Sequence, residues 1–401
     1  MSLDMTSFSA ALKTLYTPAK IENMVYADHP LLAFMPKMEA FKGDSMAIPI
    51  RYGDSQNGSA DFATAAAGTT NAKITKFLIT RNHDYHVASV DNETMMASEG
   101  DAGAFLRAAT VAIDSAISAT TQSLATSLYR SGSGSIGQVS NASFATTGLT
   151  LVNADDVGNF AVGMKLQVAA ADGGGSVRTG DLTVTNVNRD TGVVTTSANL
   201  STGISAIATN DYIVRKGDYD LKVKGLQAWV PNDAPSSTSF FGVDRSVDTT
   251  RLGGVRYDGS AMPIEEALIG AATRVAREGG NPNYCFLHYT KFAELVKALG
   301  ARVNYVTTNA TATIGFQTIE IQGPRGKIKV IADGDCPSDR AFLLQLDTWK
   351  LYSLGKAPMI INGDGLEMLR DSSSDSFTLR VAYYAQLACN APGFNANVKL
   401  S

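Results

Sequence analysis

DAGAFLRAATVAIDSAISATTQSLATSLYR, residues 101–130, and SFTLRVAYYAQLACN, residues 376–390, are the two stretches on which the fold turns. In the first, Leu106, Ala109, Ile113, Ala116, Thr120, Leu124 and Leu128 recur at steps of three or four. That spacing lines one face of a 3.6-residue helix. No Gly or Pro interrupts the run after Gly103, and Ser98 to Asp101 offers capping side chains before it. Some 28 helical residues would reach roughly 42 Å. In the second stretch Phe377, Leu379, Val381, Tyr383, Ala385, Leu387 and Cys389 share one face, and Thr378, Arg380, Gln386 and Asn390 the other. Alternation of this kind predicts a half-buried strand, and about 13 residues would extend roughly 43 Å. Helix and strand match in length, which predicts an elongated helix-on-sheet body.

The totals narrow the class. At 401 residues, 44% hydrophobic and 18% charged, the chain can build two or three packed domains. A net charge of −4 argues against a protein whose main task is gripping nucleic acid. Cys285, Cys336 and Cys389 are odd in number and far apart, which fits a reduced compartment without a disulfide framework. The N-terminal MSLDMTSFSAALKTLYTP has no apolar run of signal-peptide or membrane-span length, so synthesis in the cytoplasm and no membrane partner are expected.

In chain order, residues 1–45 read as an arm. A short amphipathic helix at Phe8–Leu15 is followed by Pro18, Pro30 and Pro36, which break further regularity. Leu31, Leu32, Phe34 and Met35 have too little local structure to bury themselves and must dock elsewhere, on this chain or a neighbour. Residues 46–98 read as a long hairpin whose Gly- and Ser-rich tip, Gly53 to Lys73, has little to bury. The helix region, 99–135, ends in Ser131-Gly132-Ser133-Gly134-Ser135, a flexible junction by composition. Residues 136–218 read as an inserted all-β domain with strands at Val162–Val168, Leu182–Val187, Val193–Thr196 and Tyr212–Val214. Arg189-Asp190-Thr191-Gly192 is a hairpin turn. Residues 219–350 are mixed α/β: helices at Pro263–Glu278 and Thr290–Leu299, and strands at Tyr284–Leu287, Thr318–Ile321, Lys327–Ala332 and Ala341–Leu346. Residues 351–401 carry the long final strand after an Asp364-Gly365 turn.

Catalytic signatures are missing. There is no Walker loop, dinucleotide fingerprint, GxSxG elbow or HExxH, so no catalytic residue, cofactor or metal is assigned. His83 and His86 fall on opposite faces of a strand, and His288 reads as a satisfied core or cap residue. The cysteines read as small apolar residues. Arg325, Lys327 and Lys329 share a strand face, a thin footprint for phosphate that reads better as a solvated face or an intersubunit ion pair. Asp172–Gly175 is a loop that precedes no helix, and Asp155-Asp156 and Glu265-Glu266 suit turn and helix-start positions.

The order of elements resembles the major capsid protein of tailed bacteriophages, the Hong Kong 97-type fold. His29-Pro30-Leu31-Leu32 through Met35-Pro36, then Gly43 and Pro49-Ile50-Arg51-Tyr52-Gly53, is similar to the arm that leads into that family's extended E-loop. Gly323-Pro324-Arg325-Gly326-Lys327-Ile328, with Asp333 and Pro337, resembles its core strands. Asp364-Gly365, Leu369-Arg370, Asp375 and Ala391-Pro392-Gly393 resemble its C-terminal run. The resemblance covers nearly the whole chain outside residues 136–216. It implies an α+β subunit: a spine helix on a long-stranded sheet, an E-loop hairpin at 46–98, an axial domain at 219–350 and peripheral strands at 351–401. The β insertion would be a surface decoration. It further implies self-assembly through hexamers and pentamers into an icosahedral shell around double-stranded DNA, in the virion. Leu31, Leu32, Phe34, Arg51, Lys73, Lys76 and Arg81 are then the candidate subunit-interface residues. A separate scaffolding protein, a portal and a decoration protein are the expected partners; packaged DNA would touch the shell weakly. An encapsulin-type compartment resembles the same fold, but the β insertion and the phage-like C-terminal run favour the virus. An α/β enzyme with a β accessory domain lacks a nucleophile–base or metal set, and a tail or adhesin protein fits the long helix poorly.

Overall fold

The computed structural model describes residues 28–56, 58–68, 70–91, 102–300, 305–311, 314–361, 369–370 and 374–401. The helix expected at Phe8–Leu15 and the Asp364-Gly365 turn lie outside these residues. The first elements are α1 (Pro30–Phe34), β1 (Lys37–Met38), β2 (Ser45–Gly53), α2 (Phe62–Ala67), β3 (Lys73–Thr80), β4 (Asn82–Asp91) and the spine α3 (Ala102–Tyr129). An inserted unit holds β5 (Ser135–Gln138), β6 (Gly148–Thr150), β7 (Lys165–Ala169), β8 (Leu182–Asn188), β9 (Val193–Thr196), α4 (Leu200–Gly203) and β10 (Tyr212–Arg215). Then come α5 (Leu226–Trp229), β11 (Val255–Asp258), α6 (Ile264–Arg277), β12 (Tyr284–Leu287), α7 (Tyr289–Leu299), β13 (Tyr305–Thr311), β14 (Ile314–Gly323), β15 (Gly326–Ala332) and β16 (Arg340–Leu344). The chain closes with β17 (Trp349–Ser353), β18 (Met359–Ile360), β19 (Leu369–Arg370), β20 (Ser376–Cys389) and β21 (Ala396–Lys399).

The body is α3 laid over a six-stranded sheet centred on β20, which pairs with β17, β18, β19 and β4. Ile113, Ala116, Thr120, Leu124 and Leu128 are buried, as the spacing requires. The threonines tolerate this because the Thr120 and Thr121 hydroxyls donate back to the Ala116 and Ile117 carbonyls, at 2.7 and 2.8 Å. β20 departs from simple alternation: Ala382, Gln386 and Ala388 are buried as well as the predicted face. The returning segment covers that end of the strand. Gln386 Nε2 donates to the Lys224 carbonyl, and Trp229 Nε1 to the Leu387 carbonyl at 3.0 Å.

Three expectations are corrected here. The hairpin is β2 with β3 alone; β4 leaves it to pair along β20 from Asp91–Ser376 to Asn82–Ala385. Pro30 does not break the arm but opens α1, standing at its first turn where its missing N–H costs nothing. The Ser131–Ser135 junction is no flexible linker, since Gly132 to Ser135 are buried. Here the chain entering the inserted unit crosses the chain leaving it. Gly134 has φ +82, and a Cβ on it would stand 2.7 Å from the Asp218 carbonyl oxygen. Gly225 is pressed harder still: its Cβ would lie 2.3 Å from the carbonyl oxygens of Ser127 and Leu128.

The inserted strands run in the order β5-β10-β7-β8-β9-β6. Ser140 N–H donates to the Thr150 carbonyl and Val152 N–H to the Gln138 carbonyl, both at 2.9 Å, so β6 returns to β5 and the sheet closes into a small barrel. Val139, Leu149, Phe160, Leu166, Val168, Val184, Val194 and Ile213 fill it. β5 and β6 escaped the sequence reading because their Gly, Ser and Thr residues carry no alternation. The third sheet has seven strands, β11-β21-β16-β12-β15-β14-β13, with α6 and α7 against it. β21 corrects the assignment of all residues after 350 to the body, because Ala396–Lys399 returns to pair with β11 and β16.

Trp229 ties these parts together. Its ring meets Phe77 of the hairpin at 5.0 Å, Phe240 at 5.2 Å and Trp349 of β17 at 6.5 Å, all edge-on. Trp229→Ala is expected to lower the folding free energy of the isolated chain by about 3–5 kcal/mol. Urea unfolding followed by circular dichroism measures it; a loss below about 1 kcal/mol would contradict this role.

Candidate assembly interface and the buried polar seam

The hairpin has two chemically distinct faces, because side chains alternate across a strand. Ile48, Ile50, Phe77 and Ile79 point into the subunit core, and Leu78 N–H donates to the Phe241 carbonyl at 2.9 Å. The opposite face pairs Ala47 with Leu78, Pro49 with Lys76 and Arg51 with Ile74, and all six are exposed. Ile74 is 65% exposed. Beyond β2, Asp61 caps the single-turn α2 by accepting from Thr64 N–H at 2.9 Å, and α2 has no buried residue. Phe62 is 86% exposed.

The predicted interface residues divide accordingly. Leu31 and Leu32 are almost fully buried in their own subunit, α1 packing against α3, and this removes them from the surface. Phe34 is half-buried with its ring 5.2 Å from Tyr284. Arg81 is held at home, donating to the Phe41 carbonyl and lying 5.0 Å over the Phe41 ring. Arg51, Lys73 and Lys76 remain on the open surface; Arg51 meets the neighbouring exposed Asp54, at 3.4 Å. The basic triplet is also local: Arg325 donates to the Gly279 carbonyl, Lys327 pairs with Glu320 at 2.7 Å, and Lys329 lies over Tyr284.

Behind the hairpin, the last turns of α3 carry a seam of buried charge that the sequence reading did not find. Asp333 Oδ2 accepts from Tyr129 at 2.7 Å and from Leu31 N–H at 3.1 Å. Asp335 Oδ2 lies 2.6 Å from His29 Nδ1, while its Oδ1 accepts from Gln122 Nε2 at 2.6 Å. On the other side of the helix, Lys222 is buried between Asp84 and Asp218, and Ser123 donates to Asp84 at 2.6 Å. Arg130 pairs with buried Asp156, so this aspartate is an ion-pair partner rather than only a turn residue. Asp-Gly-Asp was legible only as a turn; nothing in it announces which carboxylates a distant helix will cover.

Burial and the adjoining Asp335 push the Asp333 carboxyl up to about 6. Burial works against the His29 cation, but the bond to Asp335 and its charge win and raise its pKa. Burial outweighs Asp84 at His86, whose pKa falls to about 4, so its neutral Nε2 accepts from Arg215 at 2.8 Å. The signs follow by linkage. Groups raised on folding, Asp333 and His29, favour the folded state at low pH and lose that contribution as pH rises. For Asp333 the window runs from about 4 to about 6. His86 works oppositely, contributing above its unfolded value and failing as pH falls toward 4. Asp333→Asn is therefore expected to make stability rise more steeply, or fall less, between pH 4 and 6. Urea midpoints across that range test this; an unchanged slope would refute the assignment.

Cys285, Cys336 and Cys389 are buried free thiols pushed upward by burial, Cys389 to about 12. His288 caps α7. Among the described residues no three His, Cys, Asp or Glu side chains gather as metal ligands, and no helix is long and apolar enough to cross a membrane.

A family model described as the SU10 major capsid protein matches residues 185–362, beginning inside the barrel rather than after it. The chain is similar in structure to the cyanophage A-1(L) capsid asymmetric unit, with 13% identity and a TM-score of 0.56 over 93% of this chain and 92% of that one. Mycobacterium phage Ogopogo gives 10% identity and 0.44 over 94% and 93%. The holo-SrpI encapsulin complex from Synechococcus elongatus PCC 7942 gives 10% identity and 0.44 over 97% and 94%. No curated protein matches in sequence. The fold is the Hong Kong 97-type capsid fold.

Proposed function

We propose that this chain, a capsid shell protein of the tailed-phage major capsid type, closes by way of hexamers and pentamers into an icosahedral container for double-stranded DNA. The observation that carries the reading is the hairpin with one anchored face and one open face. A two-stranded ribbon is marginal on its own in water, and this one is rooted by Ile48, Ile50, Phe77 and Ile79. Its outer face presents Ile74 and Leu78 among Arg51 and Lys76, with Lys73 exposed at the start of β3, and none of the described residues covers the apolar pair. Apolar and basic side chains alternating on a projecting ribbon suit the flank of a neighbouring copy. In this role Arg51, Lys73 and Lys76 lie in the contact between copies and Phe34 at its margin, while Leu31, Leu32 and Arg81 support it from within.

The net charge of −4 suits the lining of such a container, since a surface that does not bind phosphate lets a genome slide. The role is structural rather than catalytic. A scaffolding protein, a portal and a decoration protein are the partners that building, filling and sheathing such a shell require. Synthesis would take place in the host cytoplasm, ahead of assembly into the virion.

Replacing residues 54–72 by a two-residue Gly turn is expected to leave a folded monomer, because α2 buries nothing. Its melting temperature should stay within about 2 °C of the intact chain, with assembly abolished. Sedimentation and negative-stain microscopy, with candidate scaffolding proteins present, decide the matter. Normal particles from the shortened chain would overturn the role given to the hairpin.

A further inference from the structure

The arm meets the body where two carboxylates are buried side by side. Asp333 and Asp335 lie in the turn between β15 and β16, almost wholly out of water, and Asp335 N–H donates to Asp333 Oδ1 at 3.0 Å. The spine serves them with neutral donors, Tyr129 to Asp333, and Gln122 and Thr126 to Asp335. The cation that faces them comes from the arm: His29 Nδ1 lies 2.6 Å from Asp335 Oδ2, and His29 is only 9% exposed. Two residues on, Leu31 N–H donates to Asp333. Past α1 the chain is fixed again, the Pro36 carbonyl accepting from Leu351 N–H at 2.8 Å and β1 pairing with β17. The segment Asp28 to Met35 is thus clasped by charge near its start and tied to the sheet just beyond its end.

Burial, joined by the charge of Asp335, pushes the Asp333 carboxyl up to about 6. Burial opposes the His29 cation, but its bond to Asp335 and the charges of Asp335, Asp333 and Asp28 outweigh that and raise its pKa above 6.5. Both groups bind protons more tightly while the arm is docked. Docking is therefore favoured in mild acid and weakens as pH rises, through about 6 for Asp333 and above 6.5 for His29. Burial and these carboxylates push the Tyr129 and Tyr289 phenols and the Cys336 thiol upward, so all three stay protonated over that range. His288, at the start of α7, is pushed down by burial and works in the opposite sense, but its ring is held by Thr290 of its own helix. Arg130, whose charge reaches Cys336, stays paired with Asp156. Leu31 and Leu32 are buried whatever the pH, which makes the docked arm the resting state. We propose that Asp28 to Met35 is a proton-operated latch: protonated His29 clasps it to the Asp333–Asp335 turn, and proton loss from that site frees the segment about a hinge at Pro36 while the rest of the subunit stays folded. The latch lies within one chain and does not depend on the shell reading.

Hydrogen exchange of the full chain, read by mass spectrometry and corrected at each pH for the intrinsic chemical rate, tests the latch. Peptides covering residues 28–35 are followed from about pH 5.5 to about pH 8.5, with β17 as the internal reference. Protection of the arm amides should fall at least tenfold relative to β17, which one unit of raised pKa already provides. His29→Gln keeps a donor for Asp335 but does not titrate, and should flatten that dependence. Arm protection that ignores pH in the intact chain would overturn the latch. So would a fall as steep in His29→Gln as in the intact chain. Loss of protection in β17 in step with the arm would mean that the subunit opens as a whole, and the hinge at Pro36 would be refuted.

Discussion

Burying charge along the spine helix is the constraint on which the rest of the subunit depends. Within its last two turns, Gln122, Thr126 and Tyr129 hold the Asp333–Asp335 turn, and Ser123 holds Asp84 of β4. Arg130, at the helix end, holds Asp156 of the inserted unit. His29 and Leu31 of the arm bind the same Asp335 and Asp333. Taking any one partner away would strand a charge in the interior, which costs far more than the pair contributes when whole. The seam therefore specifies how arm, body, barrel and seven-stranded sheet sit on one another, beyond what apolar packing alone would select.

Close backbone approach reinforces that registration. Gly225 lets α5 press on the carbonyls of Ser127 and Leu128, and Gly134 lets the entering chain pass the Asp218 carbonyl. The barrel is thus joined to the spine by two tightly packed crossings instead of a tether. A subunit whose parts are locked in this way can leave one element without internal support. The hairpin tip takes that part, and what it lacks in its own subunit is the chemistry a shell would supply.

The family likeness was legible in dispersed motifs, and the physical skeleton in two periodicities. The six-stranded closure of the barrel was not, because β5 and β6 are short and rich in Gly, Ser and Thr. Nor was the fate of Leu31 and Leu32. Local sequence shows that they need burial, but only the path of α1 along α3 decides that their own subunit provides it. Nothing in the local sequence marks Arg245 for burial; Phe240 and the α5 carbonyls enclose it.

By itself the sequence determined the spine helix, the long strand, the β8–β9 turn, the paired helices α6 and α7, and the absence of familiar catalytic motifs. The elements among these are marked within a short stretch of chain, where spacing alone places side chains on a face or a turn. Tertiary structure decided which strand β4 would join, where β21 would return, and which carboxylates would be buried. Those outcomes depend on pairs up to 306 positions apart, such as His29 and Asp335, and no local pattern encodes a partner at that distance.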